Sequence, residues 1–376
     1  MYSKKIFLIC GARPNFMKVA PILHQLHKKN FADPTLIHTG QHYDKEMSDQ
    51  FFEELALPAP RYHLGVGSGS HAVQTAKIMM AFEEICLADR PDLVLVVGDV
   101  NSTLAATLVA KKMCIPCGHV EAGLRSGDES MPEEINRKVT DSISDLFFVT
   151  EPEGESNLLR EGVPVERICY AGNVMIDTLV RHLPFARSQE ACRKYNLPKQ
   201  GYALLTLHRP SNVDQPEVLR GLLKAIQHIS ESLPVLFSMH PRTAQKISQM
   251  GLNTMFTQIT STPEPGRILT VGPLPYTEML SLQVHAKMLL TDSGGLQEES
   301  SYLRIPCLTL RENTERPVTV SEGTNEVVGI EPQKIINASK KILEGNWKSG
   351  NSIRGWDGQA SLRIVEKIQS FLGVHD

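Results

Sequence analysis

Several features that would point to particular protein classes are missing from this chain of 376 residues. Its formal net charge is only -3, so no overall basic field points to a nucleic-acid partner. The first apolar run, residues 6–10, is too short for a signal peptide, and no later run is long enough to span a bilayer. We therefore expect a cytoplasmic protein that binds neither nucleic acid nor a membrane.

Cysteine is scarce, and the common metal and cofactor motifs are absent from the sequence. Seven cysteines are scattered in mostly apolar settings, which fits buried thiols in a reducing compartment. Cys114 and Cys117 match C-x-x-C, but the second cysteine opens a strand and no second pair follows, so we interpret them as structural. His119-Val120-Glu121 matches the H-x-E of zinc deaminases without the P-C-x-x-C that should follow. Residues 65–69 lack the G-x-G-x-x-G pattern, so we expect no metal and no dinucleotide cofactor.

What the chain does contain is a pattern of strands that alternate with helices and that occurs twice. In the first half, buried strands are predicted at residues 5–10, 34–39, 92–97, 115–120 and 146–149. A polar helical stretch follows at residues 172–200, in which Pro184 and Pro198 are expected to break the helix. The pattern then restarts, with strands predicted at residues 202–207, 234–239, 268–271, 288–291 and 307–310.

This alternation predicts an α/β fold with two doubly wound, Rossmann-like domains that face a central cleft. The length and the hydrophobic fraction of 41% are sufficient for two cores. We expect an N-terminal domain at residues 1–172 and a C-terminal domain at residues 173–357.

The stretch from residue 118 to residue 137 carries two candidate acid/base groups. Glu121 stands where a predicted strand ends, and Glu133 lies in the first turn of the next predicted helix, after Pro132. The carboxyl ends of strands in an open α/β sheet are where ligands bind, so these carboxylates are candidates for proton transfer. The alternative is that Glu133 and Glu134 only complement the helix dipole and that Glu121 is a solvated loop acid.

Two other loops contain groups suited to a phosphate. Arg13 and Lys18 lie beside the start of the first predicted helix, although a surface position is the alternative for Lys18. Ser293, Gly294 and Gly295 follow a strand and open a helix, where backbone N–H groups can approach an anion closely. The glycines could instead serve tight packing of the strand against the helix. Glu299, one turn into this helix, could accept hydrogen bonds from ribose hydroxyls.

Together these motifs resemble the UDP-N-acetylglucosamine 2-epimerase family, non-hydrolysing type, over nearly the whole chain. The motifs that carry the resemblance occur in this order: Gly11-Ala12-Arg13-Pro14 with Lys18, Gly40-Gln41-His42, Gly98-Asp99, His119-Val120-Glu121-Ala122-Gly123-Leu124-Arg125, Pro132-Glu133-Glu134-Ile135-Asn136-Arg137, His208-Arg209, Thr291-Asp292-Ser293-Gly294-Gly295 and Thr314-Glu315-Arg316-Pro317.

The resemblance implies a two-domain fold shared with a large class of glycosyltransferases (GT-B-like), with the helix at residues 358–376 packing back on the N-terminal domain. It implies a homodimer and interconversion of UDP-N-acetylglucosamine (UDP-GlcNAc) and UDP-N-acetylmannosamine (UDP-ManNAc) for surface polysaccharide, without a cofactor. The implied catalytic residues are Asp99, Glu121, Glu133 and His208, the last also in contact with the nucleotide. The implied substrate-binding residues are Arg13, Lys18, Arg137, His240, Ser293, Gly294, Gly295 and Glu299.

The chemistry of the reaction agrees with these residues. Inversion at C2 removes a weakly acidic hydrogen, and no carbonyl group adjoins C2. Departure of UDP from C1 acidifies this hydrogen, and it requires carboxylates at the sugar together with cations and N–H groups at the diphosphate. Alternatives remain: an epimerase that hydrolyses its product or prefers a diacetamido-uronate, a UDP-sugar glycosyltransferase of the same fold, or an inactive nucleotide-sugar sensor.

Overall fold

The computed structural model describes residues 3–40, 52–258 and 263–374. The chain divides into two compact units, which we call unit 1 (residues 1–178 and 354–376) and unit 2 (residues 179–353). Gln41 and His42 of the predicted motifs lie outside the described residues.

Unit 1 is built on one parallel sheet of seven strands in the order β3-β2-β1-β4-β5-β6-β7. The strands are β1 (Lys4–Cys10), β2 (Ala32–His38), β3 (Tyr62–His63), β4 (Leu93–Val97), β5 (Cys117–Val120), β6 (Leu146–Val149) and β7 (Ile168–Tyr170). The helices are α1 (Arg13–Leu26), α2 (His71–Ala88), α3 (Asn101–Lys112), α4 (Pro132–Ile143), α5 (Pro152–Arg160) and α6 (Val174–Gln189), which continues into unit 2.

Unit 2 repeats the design with a second parallel sheet of seven strands in the order β10-β11-β9-β8-β12-β13-β14. Its strands are β8 (Ala203–Thr206), β9 (Val235–Ser238), β10 (Phe256–Gln258), β11 (Ile268–Val271), β12 (Met288–Thr291), β13 (Cys307–Thr309) and β14 (Asn325–Val327). Its helices are α7 (Pro210–Val213), α8 (Pro216–Ser230), α9 (Pro241–Gln249), α10 (Tyr276–His285), α11 (Gly294–Leu303), α12 (Pro317–Ser321) and α13 (Pro332–Leu343).

The central strands are continuous apolar runs because helices cover both faces of each parallel sheet. All five residues of β4 are buried, as are all four of β8 and all four of β12. The two doubly wound sheets confirm the predicted α/β fold class. Within the described residues, no helix combines the length and the apolar character needed to cross a membrane.

The last helix, α14 (Ala360–Phe371), belongs to unit 1 and contacts α1. Asp177 holds its start, because the carboxylate accepts the backbone N–H groups of Ala360 (3.0 Å) and Ser361 (2.7 Å). These two N–H groups have no partner inside the helix, so an acidic side chain is a suitable cap for them.

The expectation that Pro184 breaks the helix is wrong. α6 runs without interruption from Val174 to Gln189, with Pro184 inside it. Proline lacks the backbone N–H that would bond one turn earlier, so the helix gives up one hydrogen bond there. Leu179 and Ala186 on either side of Pro184 are fully buried, and their packing keeps both parts of the helix in place.

Candidate active site

The strand order of each sheet reverses at one point, and this point marks a candidate ligand site. In unit 1, β1 has β2 on one side and β4 on the other, so successive connections run in opposite directions from this point. In unit 2 the same reversal occurs between β8 and β12. Ligands of open α/β sheets bind outside the carboxyl ends of strands at such points.

Glu121 follows the last residue of β5 and forms a buried ion pair with Lys18 of α1. The side chain of Glu121 is only 4% exposed and that of Lys18 10%, so neither is the solvated or surface group that the alternative interpretation required. Glu121 has a φ of 75°, a left-handed conformation that is uncommon outside glycine and that clusters at functional sites.

Gly98, directly after β4, leaves the space that this ion pair occupies. Its φ is 67°, and a Cβ atom at this position would lie 3.2 Å from Lys18 Nζ and 3.3 Å from Glu121 Oε2. A larger residue would therefore press against both charged groups. The glycine of the Gly98-Asp99 motif thus serves close packing around the Lys18–Glu121 pair.

Asp99 is the second candidate carboxylate, and it is paired with Arg137 of α4 across 2.5 Å. The Asp99 side chain is 32% exposed, whereas that of Arg137 is 2% exposed. Asn136 donates to the backbone carbonyl of Asp99 at 2.8 Å. Side chains on α4 therefore fix both the backbone and the carboxylate of Asp99, and the predicted substrate contact Arg137 is already engaged with carboxylates.

The adjacent acids Glu133 and Glu134 have different surroundings. Glu134 is 1% exposed and accepts hydrogen bonds from Arg137, from Ser126 N–H (2.9 Å) and from Gly127 N–H (3.2 Å). Burial by itself raises the pKa of Glu134, but these donors lower it below its usual value. Glu133 lies in the first turn of α4 and is partly exposed, so Glu134 supports the loop and Glu133 is available for chemistry.

Arg13 is the first residue of α1, and its side chain is not among the described ones. The start of α1 is held by Asn15, which sequence analysis missed. Asn15 Oδ1 accepts the N–H groups of Gly11 (3.2 Å) and Ala12 (2.9 Å), while Asn15 Nδ2 donates to Val97 O (3.1 Å). An asparagine at the third helical position, in the place of a capping-box residue, was the available signal.

Sequence analysis also missed a hydrogen-bond network that includes His119 and Asp141. His119 Nδ1 lies 2.6 Å from Asp141 Oδ1, and His119 Nε2 lies 2.8 Å from the carbonyl oxygen of Gly98. Asp141 Oδ2 accepts the N–H of Gly123 (3.0 Å) and a guanidinium N–H of Arg125 (2.8 Å). Sequence analysis named His119 in an H-x-E match that lacks the P-C-x-x-C of zinc deaminases and in a family motif, without a role. The structure shows both of its ring nitrogens bonded to protein oxygens.

In unit 2, Asp292 organises the loop that carries His208. Asp292 is fully buried, and its carboxylate accepts the backbone N–H groups of His208 (3.0 Å) and Arg209 (2.9 Å) and the Asn212 amide (3.2 Å). The His208 ring is 43% exposed, with Nε2 3.8 Å from Asp292 Oδ1. The loop is therefore fixed while the imidazole remains accessible.

The predicted phosphate loop begins α11. Ser293 is the residue before the helix, and its backbone N–H donates to Thr291 Oγ1 at 3.0 Å. A Cβ atom at Gly294 would have no described atom within 4 Å, so at that position the glycine does not serve tight packing. Gly294 and Gly295 form the first turn, where backbone N–H groups lack helical partners and the helix dipole favours an anion.

Glu299 and His240 complete the predicted residues. Glu299 is 4% exposed, and its Oε2 accepts a hydrogen bond from Gln283 Nε2 at 2.6 Å. His240 precedes α9, and its Nδ1 accepts the backbone N–H of Arg242 at 3.2 Å. His240 thus acts as a helix cap in this structure, and its role toward a substrate stays a prediction.

The free cysteines include exposed Cys114 and buried Cys117 of the C-x-x-C sequence. Burial raises the pKa of the Cys117 thiol to about 12, which keeps it protonated and unreactive. Within the described parts of the chain, no three His, Cys, Asp or Glu side chains are arranged to hold a metal ion.

Comparison with known proteins identifies the family. The family model described as UDP-N-acetylglucosamine 2-epimerase matches residues 24–369. The UDP-N-acetylglucosamine 2-epimerase of Methanocaldococcus jannaschii is 42% identical over 96% of this chain and 98% of its own length. The UDP-2,3-diacetamido-2,3-dideoxy-D-glucuronate 2-epimerase of Pseudomonas aeruginosa is 37% identical over 97% of this chain and 99% of its own length.

Solved structures agree with the sequence comparison. The crystal structure of the Methanocaldococcus jannaschii UDP-GlcNAc 2-epimerase in complex with UDP-GlcNAc and UDP superposes with a TM-score of 0.87 at 40% identity. The match covers 97% of this chain and 99% of that chain. The fold is accordingly GT-B-like, as the resemblance implied. From the family match, the related sequences and the structural similarity together, this chain belongs to the UDP-N-acetylglucosamine 2-epimerase family.

Proposed function

We propose that this protein interconverts UDP-GlcNAc and UDP-ManNAc by inverting C2 through elimination and re-addition of UDP. The observation that carries the proposal is the group of Asp99, Glu121 and Glu133 at the carboxyl ends of β4 and β5 and the start of α4, with Lys18 and Arg137 beside them. Elimination requires a base for the C2 hydrogen, and re-addition requires an acid that returns a proton to the other face of C2.

The ion pairs suggest how these roles divide. Glu121 and Asp99 each lie against a cation, Lys18 and Arg137 respectively, and this arrangement suits acceptance of a proton from C2. Glu133 is partly exposed and can exchange protons with water, which suits delivery of a proton. In this scheme Arg137 acts by fixing Asp99, and Lys18 both balances Glu121 and offers its ammonium group to the substrate.

We propose that unit 2 binds UDP. The N–H groups of the first turn of α11 hold the diphosphate, the exposed His208 ring contacts it, and Glu299 accepts hydrogen bonds from the ribose. Replacement of Glu299 by glutamine should weaken UDP binding by roughly 1–3 kcal/mol, the usual effect of losing a charged hydrogen-bond partner. Calorimetric titration with UDP measures this, with Glu331→Gln at an exposed position of unit 2 as the control. Equal UDP affinity of Glu299→Gln and the control would remove Glu299 from the site.

The sugar is proposed to be the 2-acetamido sugar, because the Methanocaldococcus jannaschii relative named for it is 42% identical, against 37% for the diacetamido-glucuronate epimerase. The test compares kcat/KM for UDP-GlcNAc and for the diacetamido-uronate nucleotide. A higher value for the uronate would assign the protein to the second specificity.

Product analysis separates the remaining candidates. Incubation with UDP-GlcNAc and no acceptor should yield UDP-ManNAc at equilibrium with the starting compound, observed by proton NMR. Free ManNAc and UDP as the main products would indicate the hydrolysing type. No conversion until an acceptor is added would indicate a glycosyltransferase.

We also propose a homodimer located in the cytoplasm. Support for the dimer comes from α2, where Val73, Met80 and Leu87 are 49%, 68% and 73% exposed and recur every seven residues on one side of the helix. Ile135 on α4 is exposed as well. Light scattering should give twice the mass of the chain, and Met80→Glu should give a monomer. A monomeric wild type at micromolar concentration would contradict the proposal.

A further inference from the structure

The two ring nitrogens of His119 both face oxygen atoms that accept hydrogen bonds. Nε2 faces the carbonyl of Gly98 at 2.8 Å, and Nδ1 faces the carboxylate of Asp141 at 2.6 Å. Turning the ring over would place ring carbons at these positions, and carbon–oxygen contacts this short are well below the usual 3.3–3.6 Å or so. The ring orientation is therefore fixed by its two partners.

A carbonyl oxygen cannot donate, so Nε2 must carry a proton. Nδ1 must carry one as well unless Asp141 is itself protonated. Asp141 is 2% exposed, and its other oxygen accepts from Gly123 N–H and from the Arg125 guanidinium. The Arg125 guanidinium, 2.8 Å from Asp141 Oδ2, favours the ionised carboxylate whatever the charge on His119.

Three segments that carry candidate catalytic carboxylates meet at this pair. The Gly98 carbonyl held by His119 directly precedes Asp99, and the Gly98 N–H donates to Val120 O (3.0 Å), next to Glu121. The Gly123 N–H held by Asp141 lies two residues beyond Glu121. Asp141 itself belongs to α4, whose first turn carries Glu133.

We propose that His119 is held as a buried imidazolium. We also propose that the His119–Asp141 ion pair fixes the relative positions of the segments that carry Asp99, Glu121 and Glu133. His119 and Asp141 are positioning residues, since they act through the backbone of Gly98 and Gly123. The positioning part rests on the proposed epimerase activity, whereas the protonation state of His119 does not.

The first measurement is NMR of the full-length protein labelled with ¹⁵N-histidine, with His119 assigned by comparison with His119→Gln. At neutral pH both ring nitrogens of His119 in the wild type should carry protons. A ring nitrogen without a proton would overturn the proposal, and this result needs no activity assay.

The second measurement uses Asp141→Asn. The amide oxygen can still accept from Gly123 and Arg125 while the amide nitrogen faces Nδ1. His119 should then become neutral, and the charge-assisted hydrogen bonds that hold Gly98 and Gly123 become weaker neutral ones. We expect kcat to fall by about 10- to 10²-fold, the scale of a small misplacement of catalytic groups, with KM changed by less than about twofold. Wild-type kcat in this variant would refute the positioning role.

Asp145→Asn is the matched control. Asp145 lies just beyond α4 and supports the other end of β5, where it accepts Cys117 N–H (2.9 Å) and pairs with Lys111 (2.7 Å). This variant should lower thermal stability and leave kcat unchanged. A parallel loss of kcat in both variants would mean that kcat only reports the stability of β5, which would also contradict positioning by His119.

Discussion

At the residue scale, two neighbouring carboxylates on one helix turn are expected to behave differently. Glu133→Gln keeps the shape of the side chain but removes proton transfer. We expect kcat to fall by about 10²–10⁴-fold while the free energy of unfolding stays the same. Glu134→Gln should instead lower stability by roughly 1–3 kcal/mol, because buried Arg137 loses a charged partner. Turnover followed by NMR and thermal unfolding followed by circular dichroism measure the two effects.

The reverse pattern would exchange these assignments. An active Glu133→Gln beside a stable but inactive Glu134→Gln would make Glu134 the acid/base residue. The buried position and the several hydrogen-bond partners of Glu134 would then have to change when substrate binds.

The Lys18–Glu121 pair gives a prediction about pH. Lys18→Met removes a cation from a carboxylate that is 4% exposed, so this carboxylate takes up a proton more readily. A base works only when ionised, so the acid side of the kcat profile should move to higher pH. Lys111→Met, which breaks the Lys111–Asp145 pair in the same unit, is the control and should keep the wild-type profile. Coinciding profiles for Lys18→Met and the wild type would argue against Glu121 as the base.

At the element scale, the residues that follow the predicted strands were the part of the sequence that best predicted where the candidate site groups lie. Apolar runs that end in Gly98-Asp99, in Glu121 and in Asp292 placed these groups correctly after β4, β5 and β12. The roles of the individual side chains stay predictions. The short outer strands β3, β7, β10 and β14 were missed, because two or three residues give no periodicity that a sequence can show.

Contacts between distant residues explain what else the sequence did not reveal. Asn15 bonds to Val97 and His119 to Asp141 only because the parallel sheet places α1, β4, β5 and α4 side by side. Pro184 is tolerated because tertiary packing outweighs its poor helix propensity.

The turn between β13 and α12 in unit 2 gives a prediction about stability. Glu315 is 5% exposed and is bound by both arms of Arg311, at 2.8 and 3.0 Å. Burial raises its pKa, but Arg311 and the nearby Arg209 and Arg316 lower it from 4.5 to about 2. Between about pH 2 and about pH 4.5 the unfolded chain therefore binds more protons than the folded one. This contribution to stability rises with pH and is complete above about pH 4.5.

Glu315→Gln removes that contribution. Relative to the wild type it should lose on the order of 3 kcal/mol of unfolding free energy near neutral pH, and the difference should shrink as the pH falls toward about 2. Urea unfolding of the two proteins at about pH 6 and about pH 3 measures the change. A difference that is the same at both pH values would mean that Glu315 is not held ionised by Arg311.

At the scale of the whole molecule, the sequence predicted the fold class because each half repeats the same alternation of buried strands and amphipathic helices. Two sheets of seven parallel strands confirm that class. Each unit therefore has its own reversal of strand order. The candidate acids lie near the reversal in unit 1, and the candidate anion site lies near the reversal in unit 2. Elimination and re-addition of UDP call for two such sets of groups.

Hydrogen exchange at C2 tests this chemistry most directly. UDP-GlcNAc is incubated in heavy water with the wild type and with Asp99→Asn, Glu121→Gln and Glu133→Gln, and C2 is followed by proton NMR. The wild type should place deuterium at C2 of both epimers and release traces of UDP with 2-acetamidoglucal, while each amide variant should slow this incorporation by about 10²-fold or more. Retention of protium at C2 through many turnovers, or unchanged exchange in all three variants, would contradict proton transfer by these carboxylates.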